Sequence, residues 1–268
     1  MPTRLLLADT LATSPFVHPI AAGWVSPPAD LAVARLAGLT AGQVGPEDVA
    51  LVPSGEVPYL QETHKVAPDA AIVFEEVGTV AMRCPVRPDE IEATPVRLLE
   101  TSSLARLLAR ATVQPFYGIP PARWTDQDDA KAQVVIVEGS VALLPPEAGF
   151  SEDLSRAWFI LTGEPVVAYV CLVPKTLDRE ALAPALAALK EAGAIGYERR
   201  RELRRAVAEA QELPVELVTA LFGRLRLALD APDRRALLML LQRGHPGGTA
   251  PFVRNLEFLD ADQRDAPD

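Results

Sequence analysis

The sequence predicts an α/β fold, and three features carry that prediction. Short aliphatic runs of the buried-strand type recur between residues 4 and 173. Segments of helical spacing lie between several of these runs, and such alternation is typical of α/β proteins. After Pro174, every long segment has helical periodicity and helical end signals. We therefore expect a body of strands and helices followed by a helical C-terminal segment.

The strand predictions rest on aliphatic runs that end at proline, glycine or polar residues. The first run, residues 4–8, is followed at residues 28–39 by apolar residues at helical spacing, which predicts a strand and then a helix. Further strands are predicted at residues 49–52, 70–74, 80–84, 96–99, 134–137 and 166–173. The last of these is the longest candidate strand.

Capping residues mark the predicted helix starts. Thr101, Ser102 and Ser103 precede a leucine-rich segment, so a helix is expected to begin there. After Pro174 we predict helices from Asp178 to near Gly193, over residues 197–213, from Pro214 towards Leu229, and from Asp230 to Gly244. The acidic tail, residues 260–268, is expected to be disordered.

Composition disfavours several classes of function. A chain of 268 residues is long enough for one large or two medium domains. Its formal net charge is −10 and its arginines concentrate in one late segment, which argues against a nucleic-acid partner. No uncharged apolar run reaches the ~18 residues that span a bilayer, and the N-terminus lacks the pattern of a secretory signal. We therefore expect a soluble, cytoplasmic protein with no membrane partner.

The sequence also gives no sign of a metal or cofactor. Cys84 and Cys171 lie far apart in strand-like runs, which predicts two buried, reduced thiols. His18, His64 and His245 are widely separated and have no metal-binding spacing. No phosphate loop or dinucleotide-binding glycine pattern is present. We expect no metal and no cofactor.

Small hydroxyl residues follow the predicted strands or open helices, and they are the candidate ligand-binding groups. Hydroxyls and the free N–H groups of helix starts bind carboxylates well. Because an acidic chain repels anions at long range, a bound anion must be neutralised locally. The alternative for each hydroxyl is helix capping alone. The set comprises Thr10, Thr13, Ser14, Ser54, Thr101, Ser102 and Ser140.

Several segments occur in an order found in a known family. Residues 48–56 read DVALVPSGE, residues 78–81 read GTVA, and residues 139–143 read GSVAL. Asp153, Leu154 and Trp158 precede residues 161–168, which read LTGEPVVA. With Thr101 and Ser102 at a helix-opening loop, these segments resemble the chorismate dehydratase family of the futalosine route to menaquinone.

The resemblance implies a type II periplasmic-binding-protein-like fold, with two α/β lobes, a hinge and a helical C-terminal segment. It places lobe 1 at residues 1–80 and 175–268 and lobe 2 at residues 81–174. The first crossing is expected near residues 79–84 and the return near residues 169–174. A ligand would bind in the cleft between the lobes.

Two positions depart from the family pattern. The family begins with Ser-Tyr-Leu-Asn-Thr-Leu-Pro, and Ala12 stands here at the position of the Asn that is implicated in the chemistry. Met82 stands where the family has a Ser. Asp9 is the remaining candidate for a catalytic base, although a turn or cap role is the alternative. Arg83 is a candidate clamp for a substrate carboxylate, with a surface-strand role as its alternative.

Two main hypotheses follow for the function. The first is a chorismate dehydratase-like lyase, in which Thr13, Ser14, Ser54, Arg83, Thr101, Ser102 and Ser140 bind the substrate. The second is a non-catalytic cytoplasmic protein of the same fold that binds a small anion, which the changes at Ala12 and Met82 favour. We rank the lyase first. A solute-binding protein for an importer is a weaker third hypothesis, and a homodimer is possible in each case.

Overall fold

The computed structural model describes residues 4–75, 77–98, 100–245 and 250–259. The eleven strands of the described residues fall into two sheets, and the buried strands Val49–Pro53 and Val166–Pro174 of the larger sheet are apolar on both faces. The six-stranded sheet has the order β11-β4-β10-β3-β1-β2. Its strands are β1 (Arg4–Ala8), β2 (Ala32–Leu36), β3 (Val49–Pro53), β4 (His64–Phe74), β10 (Val166–Pro174) and β11 (Leu225–Arg226). The first three strands are parallel to one another, whereas β10 is antiparallel to both β3 and β4.

The five-stranded sheet comes from the middle of the chain and has the order β7-β6-β8-β5-β9. Its strands are β5 (Val80–Cys84), β6 (Thr94–Arg97), β7 (Pro121–Thr125), β8 (Val134–Glu138) and β9 (Phe150–Asp153). The strands β6, β7 and β8 are parallel, so the carboxyl ends of β6 and β8 lie at the same edge. That edge carries part of the site described below.

Helices cover the sheets and form the C-terminal part of the chain. The first five are α1 (Ser14–Ala21), α2 (Val57–Leu60), α3 (Ser103–Tyr117), α4 (Ser140–Leu143) and α5 (Leu154–Thr162). The remaining four are α6 (Arg179–Glu198), α7 (Arg200–Ala210), α8 (Val215–Phe222) and α9 (Ala231–Gly244). Ser102 caps α3, since its side chain accepts a hydrogen bond from the Ala105 N–H. The helices α6 to α9 all follow Pro174, which confirms the predicted helical C-terminal segment.

The structure corrects four predictions about individual elements. The helix predicted from Pro214 towards Leu229 ends as α8 at Phe222, and the strand β11 follows it. Residues 28–39 contain the strand β2 rather than a helix, and α1, which the sequence reading missed, precedes it. The helix α6 runs past Gly193, because Gly193 and Gly196 face α1 at close range instead of ending the helix. The longest strand is β4, with 11 residues, rather than β10 with 9. The tail at residues 260–268 and Leu99 lie outside the described residues.

Two connections join the sheets. The first runs from β4 to β5, and the second runs from β9 through α5 to β10. Because β10 belongs to the six-stranded sheet, the return lies at residues 163–165 and not near residues 169–174 as expected. The exact division into folding units stays a prediction.

The two halves also touch directly at glycines. Gly55, in the turn after β3, lies against Ser103 at the start of α3, where a Cβ would be 2.6 Å from the Ser103 carbonyl oxygen. Gly244, at the end of α9, lies against Leu107, where a Cβ would be 2.8 Å from that carbonyl oxygen. The helix α3 is therefore held between the turn after β3 and the last turn of α9.

Candidate functional site

A cleft of about 920 Å³ lies where the carboxyl ends of parallel strands from both sheets meet. From the six-stranded sheet it is lined by the segments that follow β1, β2 and β3. From the five-stranded sheet it is lined by the segment that opens α3 and by the end of β8. Ligands of α/β proteins bind at such strand ends, because the connecting loops there present free backbone groups. This cleft is the candidate site.

The segment after β1 forms a tight turn that contributes Asp9, Thr10 and Ala12 to the cleft. The Thr13 hydroxyl donates 2.5 Å to the Ala8 carbonyl and accepts from the Thr10 N–H. Ser14 donates to the Thr10 carbonyl at the start of α1. The hydroxyls of Thr13 and Ser14 are thus used to hold the turn, and neither residue lines the cleft.

A carboxylate from one strand meets the N-terminus of α3. Glu138, the last residue of β8, accepts a 2.8 Å hydrogen bond from the Ser102 N–H and a 2.7 Å bond from the Ser102 hydroxyl. Its negative charge lies at the positive end of the helix dipole. Burial nevertheless raises the pKa of Glu138 above its usual value, and the two bonds from Ser102 oppose that rise. Glu138 is therefore a stronger base than an ordinary surface carboxylate.

Tyr169 brings the other sheet to the same place. It lies in β10, is 1% exposed, and lines the cleft. Burial and the nearby Glu138 charge raise the pKa of its phenol far above the usual range, while a hydrogen bond with the Thr10 side chain opposes this. The phenol therefore stays protonated and can donate a hydrogen bond inside the cleft. Glu138 and Tyr169 thus give the cleft a base and a neutral hydrogen-bond donor.

The helix α3 contributes two arginines on one face, Arg106 and Arg110, which lie one turn apart. Arg106 forms a 2.5 Å ion pair with the exposed Asp126. The Arg110 guanidinium lies 5.7 Å from the ring centroid of Trp124. His245, directly after α9, lines the cleft with them. Burial and the positive charge of Arg110 lower the pKa of His245, so its imidazole is neutral at neutral pH.

The structure brings together part of the site predicted from the sequence. Asp9, Thr101, Ser102 and Ser140 line the cleft, together with Thr10 and Ala12. The Asp9 side chain is 42% exposed and lies 3.9 Å from Arg35. Thr101 also donates a hydrogen bond to the Leu98 carbonyl.

The other predicted residues lie elsewhere. Ser54 is buried, and its hydroxyl has no hydrogen-bond partner among the described residues, but it does not line the cleft. Arg83 donates 2.6 Å to the Val141 carbonyl and 3.0 Å to the Leu144 carbonyl, which fixes the short helix α4. Met82 is fully buried in the core. Arg83 is therefore committed to α4 rather than aimed into the cleft as a clamp.

Among the lining residues that sequence reasoning missed, the proposals below depend on Glu138, Tyr169, Arg110 and His245, and Arg106 lies beside them. A signal existed for Glu138, because an acidic residue that directly ends a buried run stands at a strand end. The spacing of four between the two arginines was also visible once α3 was predicted. Tyr169 lies in the middle of an apolar run, and only the pairing of β10 shows its neighbours.

Two further properties of the described residues bear on the site. In residues 4–75, 77–98, 100–245 and 250–259, His, Cys, Asp and Glu side chains form no group of three that could hold a metal ion. Over the same residues, no helix has both the length and the apolar character needed to cross a membrane.

Comparisons with solved structures show the fold. Protein AF1704 from Archaeoglobus fulgidus has a TM-score of 0.66 at 12% identity, covering 90% of this chain and 95% of its own. The periplasmic aliphatic sulphonate binding protein SsuA from Escherichia coli has a TM-score of 0.60 at 14% identity, covering 98% and 97%. The Candida albicans CA3427 gene product, described as having the generic periplasmic binding protein fold, has a TM-score of 0.59 at 12% identity, covering 98% and 99%. The chain therefore has the predicted two-lobed α/β fold of the periplasmic binding proteins.

A family comparison shows the relationship in sequence. No curated protein matches the chain. The family model for vitamin K2 biosynthesis, described as menaquinone biosynthesis, matches residues 33–246, which is most of the chain and includes most of the cleft lining. The chain therefore belongs to the menaquinone biosynthesis family.

Proposed function

We propose that the chain is a chorismate dehydratase-like lyase of the futalosine route to menaquinone, acting on a small dicarboxylate in the cleft. Membership of the menaquinone biosynthesis family supports this reaction class. One observation supports the chemistry: Glu138, a partly buried carboxylate whose pKa is raised, lines the same cleft as Tyr169, a phenol that stays protonated. The cytoplasmic location and a homodimer stay predictions from the sequence.

The elimination needs a proton acceptor and a proton donor and involves no net redox change. In the proposed step, the ring carbon that bears the enolpyruvyl ether loses its proton to the Glu138 carboxylate. The bond from the adjacent carbon to its hydroxyl breaks, and the ring becomes aromatic. The hydroxide leaves with the proton as water, so that Glu138 is again a carboxylate. A raised pKa of Glu138 suits both the uptake of the ring proton and its return to the hydroxide. General acid–base catalysis is most effective when the pKa of the catalytic group approaches the working pH.

The roles of the other lining residues follow from their positions. Ser140 lines the cleft and is the hydroxyl assigned to a substrate carboxylate or the ether oxygen. The hydroxyls of Thr101 and Ser102 already donate to the Leu98 carbonyl and to Glu138, so these two residues shape the cleft beside the start of α3. Tyr169 donates to the departing hydroxyl. Asp9, the base expected from the sequence, lines the same cleft and is the alternative proton acceptor. Its side chain is half-exposed and lies 3.9 Å from Arg35, whereas Glu138 is hydrogen-bonded at the start of α3.

The proposal is tested by thermal melting with millimolar chorismate, followed by chromatography for loss of chorismate and formation of the enolpyruvylbenzoate. We expect the wild-type protein to bind and convert chorismate. Glu138→Gln should keep the melting shift and lose about 100-fold or more in kcat, which is the usual contribution of a general base. Asp89→Asn, a surface carboxylate paired with Arg87, is the matched control and should keep full activity.

Three other outcomes are informative. If Asp9→Asn abolishes turnover while Glu138→Gln does not, Asp9 is the base. If the wild-type protein binds chorismate without converting it, the lyase proposal is overturned in favour of the non-catalytic anion-binding protein. If it neither binds nor converts chorismate, both the substrate and the reaction assigned here are wrong.

A further inference from the structure

We infer that Arg110 and His245 together form a carboxylate-binding subsite where α3 meets the end of α9. The inference deepens the proposed function and rests on it for the identity of the natural ligand, since it places one carboxylate of the substrate. Its physical basis is independent of turnover. It consists of the Arg110 Nε and the His245 Nε2, which have no hydrogen-bond partner among the described residues and belong to side chains that line the same cleft.

Arg110 differs in its pairing from other charged residues that line the cleft. Asp9 lies near Arg35, Glu56 accepts a 2.8 Å hydrogen bond from the Ala41 N–H, and Glu138 accepts from Ser102. Arg106 is paired with Asp126. Arg110 forms no ion pair with any residue that the structure describes, and its buried Nε has no hydrogen-bond partner there. A cation that faces a cleft in a chain of net charge −10 is a selective place for an anion.

The surroundings of Arg110 fix its orientation. Its guanidinium lies near the Trp124 ring on the five-stranded sheet, at 5.7 Å from the ring centroid. An aromatic neighbour contacts the flat guanidinium while leaving its N–H groups able to hydrogen-bond. A planar guanidinium with free in-plane donors matches a carboxylate, which accepts two parallel hydrogen bonds from it.

His245 supplies the second donor. It follows the last residue of α9, and the close contact between Gly244 and Leu107 brings that end of α9 onto α3, one turn from Arg110. The buried Nε2 of His245 has no hydrogen-bond partner among the described residues. A buried polar nitrogen without a partner is costly, and a bound carboxylate oxygen would satisfy it.

Binding at this subsite should take up a proton. The other titratable side chains that line the cleft are Asp9, Glu56, Tyr59, Glu100, Arg106, Glu138 and Tyr169. Burial lowers the His245 pKa most, and the charge of Arg110 lowers it further. A carboxylate that neutralises Arg110 removes this effect and itself favours the imidazolium. Affinity should therefore rise as the pH falls through the usual titration range of histidine.

The test uses isophthalate, an unreactive aromatic dicarboxylate, with binding measured by calorimetry at about pH 6 and about pH 8 in two buffers of different ionisation enthalpy. The wild-type protein should bind more tightly at the lower pH and take up a proton. Arg110→Gln should weaken binding by roughly tenfold or more, as expected for loss of a charged hydrogen bond. His245→Gln should weaken binding less and abolish both the proton uptake and the pH dependence. Arg205→Gln, on the exposed face of α7, is the matched arginine control.

Arg110→Lys keeps the charge but loses the planar donor pair, and it covers the case in which Arg110→Gln fails to fold. It should bind isophthalate more weakly than the wild-type protein while melting at a similar temperature. The inference is overturned if Arg110→Lys and Arg205→Gln bind equally well, if the pH dependence survives in His245→Gln, or if the wild-type protein does not bind millimolar isophthalate. Isophthalate binding without chorismate turnover refutes the proposed function alone. Chorismate turnover with an unchanged KM in Arg110→Lys refutes the subsite alone.

Discussion

Replacing Gly55 with alanine probes a close contact between two segments that line the cleft. The added Cβ would lie 2.6 Å from the Ser103 carbonyl oxygen and 2.7 Å from the Ser103 carbonyl carbon and Cβ. These are backbone atoms or the first atom of a side chain, so no rotamer change relieves the overlap. To reach an ordinary contact of 3.4 Å, the turn after β3 and the start of α3 must separate by ~0.8 Å.

Such overpacking costs about 1–3 kcal/mol of unfolding free energy. The same displacement moves Ser102 and its bond to Glu138 away from the turn, so we also expect weaker binding of isophthalate or chorismate. The two effects are measured by urea unfolding and by calorimetry. Gly42→Ala is the control, because nothing lies within 4 Å of a Cβ there. A Gly55→Ala protein as stable and as tightly binding as Gly42→Ala would refute the reasoning.

Two further predictions concern buried carboxylates. Asp48 is buried, which disfavours its charge, but hydrogen bonds from Arg4 and the Gly45 N–H outweigh burial and hold its pKa below the usual value. Asp48 therefore stabilises the folded state above its unfolded pKa, and this contribution is lost as the pH falls through its lower folded pKa. Asp48→Asn should destabilise the protein at neutral pH, and urea unfolding should show its difference from the wild-type protein shrinking below about pH 4. A constant difference over that range would contradict this assignment. Asp233 is also buried and accepts two bonds from Arg226 at 2.6 and 2.7 Å, and one from the Asp230 N–H at 2.6 Å. Asp233→Asn should cost roughly 2–4 kcal/mol by urea unfolding, whereas Asp230→Asn, an exposed partner of the same arginine, should cost less than ~1 kcal/mol. Equal losses would show that burial does not set the strength of these pairs.

The sequence was most informative where a strand is buried on both faces. The strands β3 and β10 appear as continuous apolar runs, because no face of them meets water. By contrast, β2 is the edge strand, is only partly buried, and contains two alanines and an arginine, so its pattern also fits a helix. The helix α1 was missed because Pro15 and Pro19 break its pattern, although Pro15 stands in the first turn, where proline is tolerated.

Local signals located only part of the site. Ser102 was found because helix capping depends on neighbours within one turn. Its partner Glu138 lies 36 residues away, and sequence spacing carries no information about such a contact. The hydroxyls of Thr13 and Ser14 have the same residue types as those in the cleft, but they satisfy nearby carbonyl groups. Residue type at a strand end thus predicts the location of a cleft better than the identity of its contacting groups.

The order of strands in the larger sheet has a consequence for synthesis on the ribosome. The strand β10 lies between β3 and β4, although β4 ends at Phe74 and β10 begins at Val166. While the intervening residues are translated, β3 and β4 have no partner on the side that β10 later fills. The strand β3 is apolar throughout, and β4 is apolar from Ala70 to Phe74. The five-stranded sheet, residues 80–153, can assemble during that interval from contiguous chain. The nascent protein therefore exposes two aggregation-prone strand edges until β10 emerges from the ribosome. A chaperone would protect the chain during this interval.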